Sequence, residues 1–259
     1  NNAKPEKTFV ELDEQIRKSV IELYQAEIMA FDDFFGGFIA ELKKRNIYQQ
    51  STIILMSDHG EEFFDHRGWG HSHSLYQELI KVPLMIKFPN QRFAASEINP
   101  VISNNDILPT LLDYYKIPLD SNQIDGESVL DKLETGDLKK KKLVISSMTG
   151  SRYFEAIPEK FAIIGSRYKI IYNFKPSQKQ LDFFKDYLAP PEVRQLELYD
   201  LINDPEERTN LSRMKPELIK KYMPYIKRIR NKIEKNRSRN THRRLDPDVE
   251  KQLKTIGYI

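Results

Sequence analysis

The feature that most constrains this fold is an apolar run that ends abruptly in chemically active residues. Residues 53–56 read Ile-Ile-Leu-Met and lead through Ser57 into Asp58-His59-Gly60. Such an unbroken run predicts a strand, at about residues 52–57, that is buried on both faces of a sheet. In open α/β sheets, ligands bind just outside the carboxyl ends of the strands. The run therefore places a carboxylate and an imidazole where such a sheet presents its chemistry.

Asp58 and His59 are the first candidate metal ligands, because carboxylates and imidazoles both bind metal ions. Adjacent residues of a regular strand point to opposite faces, so this pair can reach one ion only if the strand ends before it. Gly60 permits the turn that this requires. For the tripeptide alone, a plain polar turn is the favoured interpretation.

The following loop makes a functional site more convincing. It contains four of the five histidines of the chain: His59, His66, His71 and His73. Glu61, Glu62 and Asp65 lie among them. So many titratable groups in one Gly-rich loop favour a site over simple packing. We expect His66 and Trp69 to pack within the loop or to line its rim.

The hydrophobic pattern of the first half predicts a parallel α/β sheet. Apolar residues recur at helical spacing from Ile16 to Leu42, interrupted by Gly36-Gly37, which a close neighbouring element or a bend would explain. A short helix at 75–79, a strand at 82–88 and a helix at 106–115 follow. We expect Asn104, Asn105 or Asp106 to cap the last of these helices.

The second half predicts a small antiparallel sheet with one helix. Strands are predicted at 143–148, 161–165, 168–173 and 195–201, and the helix at 216–237, with a kink at Pro224. Composition shifts near residue 135, so we predict two domains, 1–135 and 136–259.

Composition excludes several classes of function. The absence of Cys rules out disulfides, thiolate metal sites and a cysteine nucleophile within these residues. A net charge of +3 is too balanced to favour nucleic acid as a partner. No apolar run approaches the roughly 20 residues of a membrane helix. Basic residues cluster from Lys220 to Arg244, which favours a solvated helix face over a patch for an anionic polymer.

Several motifs follow one another along the chain: Ser57-Asp58-His59-Gly60-Glu61, then Gly70-His71 to Gln77-Glu78, Val82-Pro83-Leu84, Asp106 to Asp113, Asp125-Gly126 and Leu198-Tyr199-Asp200-Leu201. Their order and spacing resemble the sulfatase family, which belongs to the alkaline-phosphatase-like superfamily of metal-dependent hydrolases. The resemblance implies an α/β fold. Part of an alkaline-phosphatase-like sheet, flanked by helices, would precede a small antiparallel sheet with a C-terminal helix.

The resemblance also implies roles for individual residues. Asp58 and His59 would be two ligands of a divalent cation, which is calcium in the sulfatases, with zinc or manganese as alternatives. His71 would contact the substrate or its leaving group and could act as a general acid. His73 is a second substrate-binding candidate, with a hydrogen bond inside the loop as the alternative.

The same comparison indicates what the chain does not contain. In the family, the N-terminal half supplies two further acidic ligands and a Cys or Ser nucleophile in a Cys/Ser-x-Pro-x-Arg motif, oxidised to formylglycine. We therefore interpret the chain as the C-terminal portion of a sulfatase-like hydrolase, inactive by itself. Its substrate would be a sulfated small molecule or glycan, and a periplasmic or extracellular location is favoured.

Two alternatives stay open at this point. A phosphoesterase or phosphoryl-group transferase of the same superfamily would use a similar metal site. A non-enzymatic binding module would use the basic region after Lys220.

Overall fold

The computed structural model describes residues 14–94, 97, 101–119, 124–135, 143–148, 158–178, 180 and 194–240, without the side chains of 236–240. The chain forms two compact units, Asn1–Ile145 and Ser146–Ile259. The domain boundary predicted at residue 135 adjoins residues 136–142, which lie outside the described part of the chain, and it stays a prediction. In the described part, no helix combines the length and hydropathy that a bilayer-spanning segment requires.

The first unit alternates helices with short strands. Its elements are α1 (Glu14–Lys44), β1 (Ile53–Met56), β2 (Glu62–Phe63), β3 (Trp69–Gly70), α2 (Gln77–Ile80), β4 (Leu84–Lys87), 3-10 turns at Pro89–Gln91 and Asn104–Asp106, α3 (Ile107–Tyr114) and α4 (Leu130–Thr135).

The long helix α1 runs through Gly36 and Gly37 without interruption. A Cβ at either glycine would meet nothing within 4 Å, so the close neighbour that the sequence suggested is not among the described residues. None of the residues of α1 is buried, and Met29 and Phe34 are 70% and 71% exposed. The helix is tied to the histidine-rich loop by Arg17, which donates hydrogen bonds to the Phe63 carbonyl and to Asp65.

The β1–β4 pair corrects two expectations from the sequence. The strands are antiparallel, with Ile53 opposite Lys87 and Met56 opposite Leu84, whereas a parallel sheet was expected. A parallel connection normally needs a crossover helix, and residues 57–83 contain only the four-residue α2. β1 is also not buried on both faces: Met56 is 40% exposed, because two paired strands cannot cover both of their own faces.

A buried carboxylate organises the end of the first unit. Asp106 is 1% exposed, and its side chain accepts hydrogen bonds from the backbone N–H of Ser103 and of Glu127, both at 2.9 Å. Ser103 in turn accepts a hydrogen bond from Asn105 N–H, which completes a capping box. Ser103 therefore caps the 3-10 turn, with Asp106 as the third residue of the box. Asp106, one of the three residues predicted, occupies the N-cap position of α3 itself, without a side-chain capping hydrogen bond.

The second unit contains the predicted antiparallel sheet and helix. The strands β5 (Val144–Met148), β6 (Lys160–Ile164), β7 (Tyr168–Asn173) and β8 (Leu196–Asp200) lie in that order, and helix α5 (Pro216–Asn240) follows. β7 pairs antiparallel with both β6 and β8. Phe161, Ile170 and Leu198 are at most 1% exposed and form the core. The fold class expected from the sequence is confirmed.

A fully buried ion pair fixes the loop after β8 to the centre of this sheet. The Lys169 Nζ lies 2.8 Å and 3.0 Å from the two carboxylate oxygens of Glu207, and both side chains have no exposed surface. Glu207 adopts a left-handed backbone conformation, with φ of 56°. Burial removes water from both charges, and their attraction compensates part of the cost to each.

Removing one member of this pair is expected to destabilise the second unit strongly. Glu207→Ala leaves a buried ammonium without its counter-charge, and we expect the free energy of unfolding to fall by about 3–5 kcal/mol. The double variant Lys169→Met, Glu207→Leu should recover most of that loss. Hydrogen exchange of the β7 amides measures the opening of this unit separately. A double variant no more stable than Glu207→Ala would contradict the argument.

Candidate active site

The turn that follows β1 depends on a close contact between two stretches of backbone. Gly60 N–H donates to the Leu79 carbonyl of α2 at 2.8 Å. A Cβ at position 60 would lie 1.9 Å from the Glu78 carbonyl oxygen, so no side chain fits there. Because this contact fixes the backbone at Gly60, it sets the direction in which Asp58 and His59 leave the strand.

Asp58 and His59 lie close together at this turn, and their role as metal ligands stays a prediction. Asp58 Oδ1 and His59 Nε2 are 3.8 Å apart, and the side chains are 67% and 45% exposed. His59 Nδ1 lies 2.8 Å from the Gly60 carbonyl oxygen. A carbonyl only accepts hydrogen bonds, so Nδ1 carries a proton, and Nε2 is the ring nitrogen left for a metal ion.

The small β2–β3 hairpin brings His71 into the same place. Glu62 pairs with Gly70, and continuing that register sets Glu61 opposite His71. His71 Nδ1 donates to Glu61 Oε2 at 2.9 Å, which fixes the ring and leaves Nε2 for another contact. His71 also stacks on His59, with 4.1 Å between ring centroids.

Glu61 is the site residue to which sequence reasoning gave no role. Ligand atoms of His59, Glu61 and His71 all lie within 4.8 Å of one another. The hairpin register would have revealed Glu61, because the two residue numbers of every facing pair in an antiparallel hairpin have the same sum. That rule pairs Glu61 with His71. A hairpin of two residues per strand is too short for periodicity to reveal it.

His73 lies on a different carboxylate, inside the loop. It donates from Nε2 to Glu62 Oε2 at 2.7 Å, and Glu62 is 1% exposed. Glu62 Oε1 accepts from the backbone N–H of His66 and Gly68. Burial opposes ionisation of Glu62, but these hydrogen bonds outweigh it and lower the pKa of its carboxyl below the ordinary value. His73 therefore has a loop-fixing contact, while its substrate contact stays a prediction.

His66 and Trp69 take the positions expected of packing or rim residues. His66 is 12% exposed, donates to Glu78 at 2.6 Å and stacks on Tyr76 with 3.8 Å between centroids. Trp69 is 45% exposed and meets Phe63 edge to face. Neither side chain is in the group formed by His59, Glu61 and His71.

The donor atoms present fit part of a divalent metal site. Two ligands of one ion, each at roughly 2.0–2.5 Å from it, can be at most about 4–5 Å apart, and Asp58 Oδ1 and His59 Nε2 satisfy this limit. The rings of His59 and His71 are only 28° from parallel, so both could chelate one ion only after one ring rotates. The pair Asp58–His59 is thus the better prepared set of ligands.

Two family models match this chain. The model described as "Sulfatase" matches residues 2–117, and the model described as "N-sulphoglucosamine sulphohydrolase, C-terminal" matches residues 62–239. The chain belongs to the sulfatase family. Members of this family generally use a divalent metal, and this chain could hold one at the cluster of His59, Glu61 and His71 or at the adjacent pair of Asp58 and His59.

Individual relatives agree with the family match, and this chain covers only part of the length of each. Arylsulfatase K of Bos taurus is 28% identical over 208 residues, which are 78% of this chain and 35% of that protein. A solved 2-O GAG sulfatase superposes with a TM-score of 0.65 at 23% identity, over 91% of this chain and 47% of its own. The chain thus spans between about a third and a half of these proteins, and the fold is alkaline-phosphatase-like.

The fold alone does not decide between sulfur and phosphorus chemistry. The phosphonate monoester hydrolase of Agrobacterium radiobacter superposes with a TM-score of 0.67 at 21% identity, over 86% of this chain and 43% of that chain. A likeness at this level of identity establishes shared architecture and not a shared reaction.

Substituting Gly60 tests whether the backbone contact positions the site. Gly60→Ala forces the backbone to move away from Glu78, and we expect a loss of about 3 kcal/mol or more in local stability. Trp69 is the single tryptophan of the chain, so its fluorescence during urea unfolding reports on this loop. Gly36→Ala is the matched control, and it should stabilise α1 by about 1 kcal/mol because its site is open. Equal effects of the two substitutions would contradict this account of Gly60.

Proposed function

We propose that this chain is part of a sulfate ester hydrolase and supplies one side of its active site. The observation that carries the proposal is the convergence of three residues in a member of the sulfatase family. His59 Nε2 lies 3.8 Å from Asp58 Oδ1, and the His59 ring stacks on His71. The three side chains come from the motifs that resemble the metal-binding and substrate-binding segments of the family.

In the proposed reaction, Asp58 and His59 hold a divalent cation and His71 contacts the sulfate or the leaving group. A bound cation would polarise the sulfate oxygens. Glu61 orients His71 through Nδ1, so that Nε2 can donate a hydrogen bond or a proton to the departing oxygen. Both histidines are about half exposed, which leaves room for a substrate.

The nucleophile is proposed to come from polypeptide outside this chain. Cys is absent, no Ser of the chain stands in a Ser-x-Pro-x-Arg sequence, and the chain spans 35% of bovine arylsulfatase K. The unburied helix α1, with its large apolar side chains exposed, supports a surface that further polypeptide covers. We therefore expect no turnover from the isolated chain, although the protein of which it is part would be active.

For the substrate, we propose a sulfated sugar or glycan. The support is the family model that matches residues 62–239, which is described as "N-sulphoglucosamine sulphohydrolase, C-terminal". A small sulfated molecule would serve as an assay substrate. A periplasmic or extracellular location, where sulfated glycans are encountered, is part of the proposal.

Calcium is the proposed metal of the complete enzyme, and the isolated chain should bind it weakly. Calcium needs about six to eight oxygen ligands, of which Asp58 offers at most two. We expect about 1 mM Ca²⁺ to raise the Tm of this chain by less than about 1 °C.

Differential scanning fluorimetry with Ca²⁺, Mn²⁺ and Zn²⁺ measures this directly. A calcium shift of several degrees that disappears in Asp58→Asn would contradict the expectation of a partial site. A zinc shift that disappears in both His59→Ala and His71→Ala would assign the metal to zinc instead of calcium.

The activity is tested on the longer protein that contains this sequence, with p-nitrophenyl sulfate and p-nitrophenyl phosphate as parallel substrates. We expect a higher kcat/KM for the sulfate ester. Asp58→Ala and His71→Ala should each lower it by about 10²-fold or more, because each removes a group that acts on the reacting ester. Trp69→Phe at the rim is the control and should stay within about threefold.

The assay with p-nitrophenyl phosphate decides between sulfate and phosphate ester hydrolysis. A higher kcat/KM for the phosphate ester, with the same dependence on Asp58, would replace the sulfatase proposal by a phosphoesterase.

A further inference from the structure

Helix α5 carries far more positive charge than the rest of the chain. Among its 25 residues are nine Lys or Arg and two Glu, a net charge of +7. The whole chain has a net charge of +3, so everything outside α5 is net negative. Positive charge is therefore segregated onto one element.

The basic side chains of α5 are also segregated around its axis. Of the seven whose side chains the structure describes, six fall within an arc of roughly 140° that extends for about 22 Å along the helix, at about 100° per residue. All six are exposed. They form what we call the basic face: Lys220, Lys221, Lys227, Arg228, Lys232 and Lys235. An ordinary solvated helix face also collects charged residues opposite a buried side, but this face is almost entirely of one sign.

The other side of α5 fixes the orientation of the basic face. Ile226 is 2% exposed, and Leu218, Ile229 and Ile233 are half-buried on the same side. The two acidic residues of α5 lie beside the basic face. Glu234 lies at its margin and pairs with Arg230 at 3.5 Å, while Glu217 stands in the first turn, at the end of the face. The packing of the apolar side thus turns the basic face toward solvent.

We propose that the basic face of α5 binds the chain of a sulfated polysaccharide. A row of cations along one side of a rigid helix matches a polymer with repeated anionic groups. Such binding gains free energy from the release of counterions. The choice of sulfate as the anion rests on the proposed function, and the existence of a polyanion site does not.

Two other anionic partners fit the basic face less well. Nucleic acid in single strands is held by aromatic platforms between the basic residues, and no aromatic residue lies within this arc. Membrane-surface helices insert an exposed apolar side, whereas Ile226 and its neighbours on α5 are turned inward. A flexible sulfated chain needs neither feature.

The test compares equilibrium binding of fluorescein-labelled heparin oligosaccharide by anisotropy, as a function of salt. The variant Lys220→Gln, Lys227→Gln, Arg228→Gln removes three charges from the basic face. The matched control, Lys18→Gln, Lys43→Gln, Lys44→Gln, removes three charges from α1. Far-UV circular dichroism checks that both variants keep their helices.

We expect the α5 variant to raise the Kd at least about tenfold at low salt, and to lower the slope of log Kd against log salt by roughly two to three. The α1 control should change the Kd by less than about twofold. An unchanged Kd in the α5 variant, or an equal loss in the control, would overturn the proposal, since binding would then follow net charge alone.

Double-stranded DNA and phosphatidylserine vesicles are titrated at the same salt concentrations. Tighter binding of either one than of heparin would overturn the assignment to sulfated polysaccharide. Asp58→Ala separates this inference from the proposed function. It should leave heparin binding unchanged in the isolated chain, whereas the loss of hydrolysis in the longer protein is what tests the active site.

Discussion

The constraint on which the candidate site depends is the contact of Gly60 with the backbone of α2. Because a Cβ would lie 1.9 Å from the Glu78 carbonyl oxygen, only glycine permits this approach. The approach ends the strand and turns Asp58 and His59 toward a common point. Glu78 extends the effect, since its side chain holds His66 and so fixes the middle of the histidine-rich loop. One backbone contact therefore sets the position of several titratable side chains.

Buried carboxylates serve as organising groups throughout the chain. Glu62 gathers His73 and two backbone N–H groups inside the loop, Asp106 joins α3 to the segment at Glu127, and Glu207 neutralises Lys169 in the second unit. Several hydrogen bonds or an ion pair compensate each carboxylate for the water that it loses on burial. Because these contacts are directional, each carboxylate restricts where the neighbouring loop can lie. In the first unit, Glu62 thus fixes part of the histidine-rich loop, while His59 and His71 stay about half exposed.

The two proposed anion sites differ in how their groups are arranged. At the histidine-rich loop, the ligand atoms of His59, Glu61 and His71 lie within 4.8 Å of one another, as the proposed reaction of a single ester group requires. Along α5, charges are spread over several helical turns without converging, which suits a polymer. The exposed apolar residues of α1 are a third surface, and their exposure agrees with a chain that spans less than half of its solved relatives.

Local patterns in the sequence determined the elements and the family. Periodicity located α1, the hairpin of β6 and β7, and α5, and the Asp-His-Gly motif with its followers identified the sulfatase resemblance. Tertiary structure alone decided the direction of β4 against β1, the pairing of Glu61 with His71 and the burial of Lys169 with Glu207. These features depend on contacts between residues that are far apart in the sequence. Local patterns of hydrophobic and polar residues do not specify such contacts. The same reason explains α5: the sequence supplied its charges, but only packing of Ile226 decided which side faces solvent.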